Sequence, residues 1–107
     1  MENPSPLLDL RSMSKLRWRC RRGLLENDLL IEKFFARHEE TLTVRQAQGV
    51  GDLMDLSDND LLDLLLQRKA PFQLTDASAV ASASTPEALE VLPLLRSASS
   101  QAATAIL

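Results

Sequence analysis

Apolar residues recur along this chain at the three- and four-residue spacing of α-helices, and no segment alternates as a β-strand does. Leu24, Leu25 and Leu29 begin the widest apolar stripe, too broad for a helix that packs on one side only. The pattern predicts an all-α protein, a small five-helix bundle with disordered termini. The predicted helices span about residues 15–22, 24–39, 43–56, 57–68 and 85–96.

Residues with capping chemistry stand before four of these helices. Ser14, Thr43 and Ser57 are predicted N-caps, and Thr85 precedes Pro86, the residue favoured at the first helical position. Gly23 lies between the first two helices, where two explanations stay open. It supplies a positive φ, which the pattern favours, or it leaves room for another backbone to approach.

Composition divides the chain into segments around one helical domain. Residues 1–13 contain two prolines and are expected to form a flexible leader, followed by a single helical domain over 14–96. An Ala/Ser-rich stretch at 73–84 is expected to be a linker before the last helix, and 97–107 a disordered tail. We expect no signal peptide and no membrane insertion, because the chain has no continuous apolar segment of the required length. We expect no transit peptide, because Glu2 and Asp9 precede the basic run and the domain is expected to begin near Ser14. A single Cys suits a reducing compartment, and we expect a bacterial cytoplasmic protein.

The formal net charge of −3 conceals a strong segregation of charge along the chain. Residues 11–22 contain six of the twelve cations and no acid, whereas 52–63 contain five Asp and no base. This polarity indicates a surface with a basic and an acidic side, and predicts a monomer or a weak dimer that pairs end to end. The overall pI of about 5.1 argues against nucleic-acid binding. The Asp series lacks the ligand order of an EF-hand and is expected to be solvated.

The first helix separates into two sides when its residues are placed about 100° apart. Three residues, Met13, Leu16 and Cys20, fall on the side that faces the core. The opposite side collects a Trp and three cations, namely Lys15, Trp18, Arg19 and Arg22. An aromatic residue flanked by Arg is typical of an interaction hot spot. The alternative is that Trp18 packs against the leader or the last helix.

Residue types that carry chemistry are few and isolated. Cys20 lies on the apolar side with no His nearby in sequence, so we interpret it as a buried small residue. His38 is the only His, and we predict no zinc or other metal site. Gly49-Val50-Gly51 lacks the Lys-Ser/Thr of a phosphate-binding loop. We therefore predict no catalytic residue, no bound cofactor and no enzyme activity.

Arg22 and Glu26 are four residues apart, a spacing that allows two interpretations. In the first they form a local salt bridge worth a few tenths of a kcal/mol. In the second, Glu26 is held in the first turn of a helix as a rigid acceptor for a partner's Arg or backbone.

The linked pattern around this Arg-Gly-x-x-Glu motif resembles the succinate dehydrogenase assembly factor 2 family, the flavinators. The resemblance covers about residues 14–71. Its residues are Trp18 to Gly23, Glu26, Asp28, the Phe34-Phe35 pair, and the Leu-Ser-Asp-Asn-Asp-Leu segment at 56–61. Gly49 and Gly51 depart from it, because bulkier residues are expected there, and each costs roughly 1 kcal/mol of helix propensity.

The resemblance implies a five-helix bundle that binds the flavoprotein subunit of succinate dehydrogenase, and in some bacteria that of fumarate reductase. It implies that FAD belongs to this client, where it becomes linked through its 8α-methyl group to a His. The implied partner-binding residues are Lys15, Trp18, Arg19, Arg21, Arg22, Gly23, Glu26 and Asp28. The alternative functions are a small helical adaptor and a nucleic-acid-binding regulator that uses the basic first helix.

Overall fold

The computed structural model describes residues 6–21, 23 and 25–106, with side chains through residue 97. Within these residues the chain forms six α-helices and a short 3-10 turn over Pro71–Gln73. The helices are α1 (Leu10–Arg19), α2 (Leu25–His38), α3 (Val44–Leu53), α4 (Asp58–Leu65), α5 (Ala77–Ala83) and α6 (Pro86–Ile106). The predicted all-α class is confirmed, but the predicted count of five helices was wrong.

The additional helix, α5, lies inside the stretch that the sequence assigns to a linker. Ala has the highest intrinsic helix propensity, so an Ala-rich segment forms a helix once tertiary contacts stabilise it. Ala79 and Ala83 are four residues apart and buried in the core, which supplies those contacts. Small side chains gave this segment too little hydrophobic contrast for its periodicity to be recognised.

Helix α1 begins earlier than predicted, and its N-cap is Asp9 rather than Ser14. The Asp9 carboxylate accepts a hydrogen bond from the Ser12 backbone N–H at 2.7 Å, and this bond lowers the pKa of Asp9. Just before the helix, the Leu8 N–H donates to the Leu42 carbonyl, and the Val44 N–H donates to the Pro6 carbonyl. This part of the predicted leader is therefore tied to the loop between α2 and α3.

The other predicted caps are confirmed. Thr43 and Gln46 form a reciprocal capping box at the start of α3, with bonds of 3.0 and 3.1 Å. The hydroxyl of Ser57 accepts the Asp60 N–H at 3.2 Å, and that of Thr85 accepts the Ala88 N–H at 3.1 Å. Local capping chemistry thus determines where α3, α4 and α6 begin.

The C-terminal ends of the helices agree less well with the prediction. Helix α3 ends at Leu53 rather than near Leu56, and α4 ends at Leu65 rather than at Arg68. After α4, Gln67 adopts a φ of +60°, which ends the helix without a Gly. Helix α6 continues past Arg96, where the sequence predicts its end. The division of the chain into leader, domain and tail stays a prediction.

The core lies between α2, α3, α4 and α6, and α3 packs most extensively on α6. Gly49 makes this packing possible, because a Cβ at that position would overlap the Glu87 carbonyl oxygen of α6. The aromatic rings of Phe34 and Phe35, both buried, pack edge to face with centroids 5.5 Å apart. Helix α1, in contrast, lies at the side of this core and makes no extensive helix pair in the described part of the chain.

Candidate functional site

The junction between α1 and α2 exposes backbone that no other part of the described chain covers. The Arg21 N–H donates to the Trp18 carbonyl at 3.1 Å and so closes the last turn of α1. Gly23 follows with a φ of +90°, a conformation that L-residues rarely adopt, and a Cβ added there would have nothing within 4 Å. Gly23 thus supplies the positive φ, while the space beside it is open to solvent.

The predicted inward side of the first helix is confirmed. Met13, Leu16 and Cys20 are all buried in the hydrophobic core. Cys20 is 3% exposed, as expected for a small buried residue. These three side chains hold α1 on the rest of the molecule through apolar contact rather than through close helix packing.

Trp18 and Lys15 point away from that core. The Trp18 side chain is 74% exposed, so the alternative that it packs on the leader or the last helix does not apply to the described structure. Lys15 is also exposed, and no ion-pair partner is found for it among the described residues. An exposed indole beside a free cation leaves apolar and charged surface available for contact.

Arg19, predicted to point outward with them, leans toward α3 instead. Its Nη2 lies 2.9 Å from Asp55 Oδ1, and its guanidinium covers Gly51, where an added Cβ would lie 3.1 Å from Nη1. The side chain stays 54% exposed. Gly51 therefore makes room for Arg19, which explains one departure from the expected pattern.

Arg17 is an anchoring residue that the sequence pattern did not reveal. Its guanidinium pairs with Glu39 at 2.7 Å and with Glu32 at 3.0 Å, and lies over the Phe35 ring with 5.3 Å to the centroid. Its partners are 15 and 22 residues away in sequence, so no helical spacing signals them. Arg17 and Arg19 thus tie α1 to α2 on one side and to α3 on the other.

The first turn of α2 carries the acidic part of the motif. Glu26 is exposed, whereas Asp28 is half-buried and lines a cleft of about 180 Å³ with Cys20, Arg21 and Phe35. Between the two acids, Asn27 is fully buried, and its Nδ2 donates to the Asp58 carbonyl at 3.1 Å. This bond holds the first turn of α2, which carries Glu26 and Asp28, against the start of α4.

Seven of the eight predicted partner-binding residues are described, and they do not form one cluster: Arg21 and Asp28 line the cleft beside Cys20, Lys15 and Arg19 border a groove against α3, and the other three are exposed. Arg22 lies outside the described residues, so the predicted pair of Arg22 with Glu26 stays a prediction. The remaining seven are Lys15, Trp18, Arg19, Arg21, Gly23, Glu26 and Asp28.

The Asp series at 52–63 is more engaged than its predicted solvation implies. Asp52 accepts the Thr85 hydroxyl at 2.7 Å, and Asp55 pairs with Arg19. Asp63 lies 3.5 Å from Arg68 and 3.7 Å from Lys69. The prediction was wrong for Asp52 and Asp63, which are half-buried and have partners that the local pattern does not show, whereas Asp55 stays 57% exposed while it pairs with Arg19.

Other candidate chemistry is sparse in the described residues. No group of three His, Cys, Asp or Glu side chains among them has the arrangement of a metal site. Burial lowers the pKa of His38. Its ring is tilted against that of Phe34, with the two ring centroids 5.1 Å apart. Over the same residues, none of the helices combines the length and apolar character needed to cross a membrane.

Comparison with known proteins gives a consistent match. Residues 14–85 match a family described as the flavinator of succinate dehydrogenase. An FAD assembly factor SdhE of Ralstonia nicotianae is 44% identical over 88 residues, which cover 82% of this chain and 84% of that protein. The protein of the same name in Legionella pneumophila strain Paris is 39% identical over 64 residues, 60% of this chain and 81% of that one. The FAD assembly factor SdhE of Coxiella burnetii is 40% identical over 57 residues, which cover 53% of this chain and 70% of that protein. No solved structure matches the chain significantly.

Proposed function

The chain belongs to the family of flavinators of succinate dehydrogenase, and from that premise we propose that it promotes covalent attachment of FAD to the flavoprotein subunit of that enzyme. It acts as an assembly factor and not as the catalyst of the linkage. The client is the immature flavoprotein subunit of succinate dehydrogenase, and in a bacterium that has it, also that of fumarate reductase. The protein works in the bacterial cytoplasm as a monomer or a weak dimer.

The open backbone at Gly23 is the observation that carries the proposed docking site. A positive φ explains why Gly stands there, but the empty space beside it has no use within the described part of this chain. Exposed Trp18 precedes it and exposed Glu26 follows it. An aromatic anchor, a bare backbone segment and an exposed carboxylate are suited to a protein surface that approaches closely.

The same surface supports the proposal that FAD stays with the client. The cleft behind the motif has a volume of about 180 Å³, and Phe35 is the only aromatic residue among those that line it. The groove beside Lys15 is larger, about 490 Å³, but none of the described residues that line it is aromatic. Small-molecule sites usually measure about 300–1,000 Å³ and are mostly apolar or aromatic. Docking would instead hold the flavoprotein so that its FAD and its acceptor His are aligned, a proximity effect. The bond-forming chemistry is then the flavoprotein's own.

Gly23→Arg tests this placement. We expect the variant to fold, since nothing lies near the introduced side chain, although the positive φ costs an L-residue roughly 1–2 kcal/mol. We expect covalent flavin on the client to fall to the level of a deletion strain, because the side chain blocks the approach. The measurement is in-gel flavin fluorescence of the denatured flavoprotein, with circular dichroism to establish folding.

The Gly23→Arg side chain could act by blocking the partner's approach, by straining the backbone or by adding a positive charge. Two further variants distinguish these effects. Gly23→Asn accepts a positive φ more readily than other residues, so it should keep the stability of the parent protein, and any activity that it loses reports blockage rather than strain. Ala81→Arg places the same side chain on the exposed side of α5, away from the junction, and should be fully active. If deletion of the gene left flavinylation of the client unchanged, the proposed function would be wrong. A fully active Gly23→Arg variant would contradict only the proposed docking site.

A further inference from the structure

The cations of α1 divide into two groups according to their contacts. Arg17 and Arg19 pair with acidic residues of α2, the segment after it, and the turn after α3. Arg11 and Lys15 have no ion-pair partner among the described residues, and both are exposed. The fold therefore explains the first pair and leaves the second unexplained.

Arg11 belongs to the helix only because α1 begins at Leu10. In this register one face of α1 carries Arg11, Lys15 and Trp18, because the second follows the first by four residues and the third follows the second by three. The face points between the directions that Arg17 and Arg19 take, since successive residues are about 100° apart. We call these three residues the outer stripe.

For the isolated protein, the charge at Arg11 is unfavourable on two counts. It lies in the first turn of α1, where the helix dipole disfavours a cation, and the first turn contains no acid. It is also four residues from Lys15, a spacing at which like charges repel. Asp9 caps the helix by accepting the Ser12 backbone N–H, and it forms no ion pair with Arg11.

Acidic residues near the outer stripe are committed elsewhere. Lys15 borders a groove of about 490 Å³ whose other wall carries Asp52 and Asp55. Asp52 accepts the Thr85 hydroxyl, and Asp55 pairs with Arg19. Lys15 is close enough to Asp9 to lower the pKa of that carboxyl, but the two form no ion pair. Arg11 and Lys15 thus form no ion pair within the described chain, and their charges are available for an external acid.

We propose that the outer stripe, Arg11, Lys15 and Trp18, receives an acidic segment of the client flavoprotein, with Arg11 as a docking residue one helical turn beyond the motif. This rests on the proposed function and extends its docking surface along α1. The exposed Trp18 indole provides the apolar contact, and the two cations flank it with the complementary charge. A protein segment is favoured over a nucleic acid because the net charge of −3 repels a polyanion, while a short acidic segment meets only the stripe.

Arg11→Glu distinguishes a docking role from a structural one, because the two roles predict effects of opposite sign. An acid at this position suits the helix dipole and pairs with Lys15, so thermal stability should stay equal or rise. Affinity for the purified flavoprotein subunit of succinate dehydrogenase should fall at least about tenfold at about 50 mM salt, and less at about 200 mM. Arg68→Glu makes the same change of charge just past the end of α4, where it removes the weak pair with Asp63, and should leave the affinity within about twofold.

The other outcomes each decide the matter. If the parent protein binds the flavoprotein and Gly23→Arg abolishes binding while Arg11→Glu does not weaken it, the outer stripe is not part of the interface and the proposed function stands. Equal weakening by Arg68→Glu would reduce the effect to net charge and overturn the proposal. Salt-sensitive binding of duplex DNA that Arg11→Glu abolishes would assign the stripe to a polyanion and overturn it as well. If the parent protein does not bind the flavoprotein, the proposed function itself fails.

Discussion

At the scale of single residues, two glycines of this chain have different roles, which only their surroundings in the fold reveal. Gly49 and Gly51 are two residues apart in α3, and both weaken its intrinsic helix propensity. A Cβ at Gly49 would meet backbone of α6, whereas a Cβ at Gly51 would meet only the end of the Arg19 side chain. Backbone in a packed helix cannot yield, but a half-exposed guanidinium can.

The two Gly→Ala variants are therefore expected to change stability in opposite directions. Gly49→Ala should lower the free energy of unfolding by about 1–3 kcal/mol, because α3 and α6 must separate. Gly51→Ala should leave it unchanged or raise it by up to about 1 kcal/mol, since the helix gains propensity and Arg19 shifts slightly. Urea denaturation measures both. A stabilised Gly49→Ala would show that α6 does not pack closely against α3 at this position.

At the scale of elements, the sequence predicts helix starts better than helix ends. Thr43, Ser57 and Thr85 were recognised because a cap and its helix lie within a few residues of each other. The end of α4 was missed because Gln67, not Gly, adopts the positive φ there. Helix α5 was missed because Ala79 and Ala83 become informative only when the core that buries them is known.

The candidate site shows the same limit. Local spacing on a helix correctly placed Met13, Leu16 and Cys20 inward and Trp18 outward. It gave no sign that Arg17 reaches Glu32 and Glu39, because those contacts depend on how α1 lies against α2. What a single helix determines was predictable, and what two helices determine together was not.

Gln67 provides a prediction at the element scale. A left-handed conformation costs a non-Gly residue about 1 kcal/mol or more, so Gln67→Gly should raise the free energy of unfolding by about 0.5–1 kcal/mol. Gln67→Ala keeps the same strain and should match the parent protein. Equilibrium unfolding in urea measures the difference. Equal stability of the Gly and Ala variants would mean that Gln67 carries no strain.

At the scale of the whole molecule, the family match and the folding unit have different limits. The match to the family model ends at residue 85, just before α6 begins at Pro86, whereas the 88-residue match to the Ralstonia protein reaches into α6. Yet α6 makes the most extensive contacts of the described helices, with α3 and with α2. It also donates hydrogen bonds from Arg96 to the Leu64 carbonyl at the end of α4 and to the Lys69 carbonyl in the segment that follows. The position of α1 and α2 thus depends on a helix that lies beyond the segment matched by the family model.

Truncation after Thr85 is therefore expected to abolish cooperative folding. It removes Val91, Leu92 and Leu95 from the core, each worth roughly 1.5–3 kcal/mol when fully buried. It also uncovers the faces of α2 and α3 on which α6 packs. Together these losses approach the 5–15 kcal/mol by which a typical domain is stable. A thermal melt should show no transition, and flavinylation of the client should be lost.

Truncation after Ser97 is the matched control, since it keeps those core residues and Arg96. Its melting temperature and its flavinylation activity should stay close to those of the full chain, because the side chains of the described core all precede that point. If the shorter chain ending at Thr85 melted cooperatively and supported flavinylation, the docking surface would be independent of α6, and the packing through Gly49 would not be needed for function. If instead both truncations failed, residues beyond Ser97 would be required, and the core that precedes them would be insufficient to hold α1 and α2 in place.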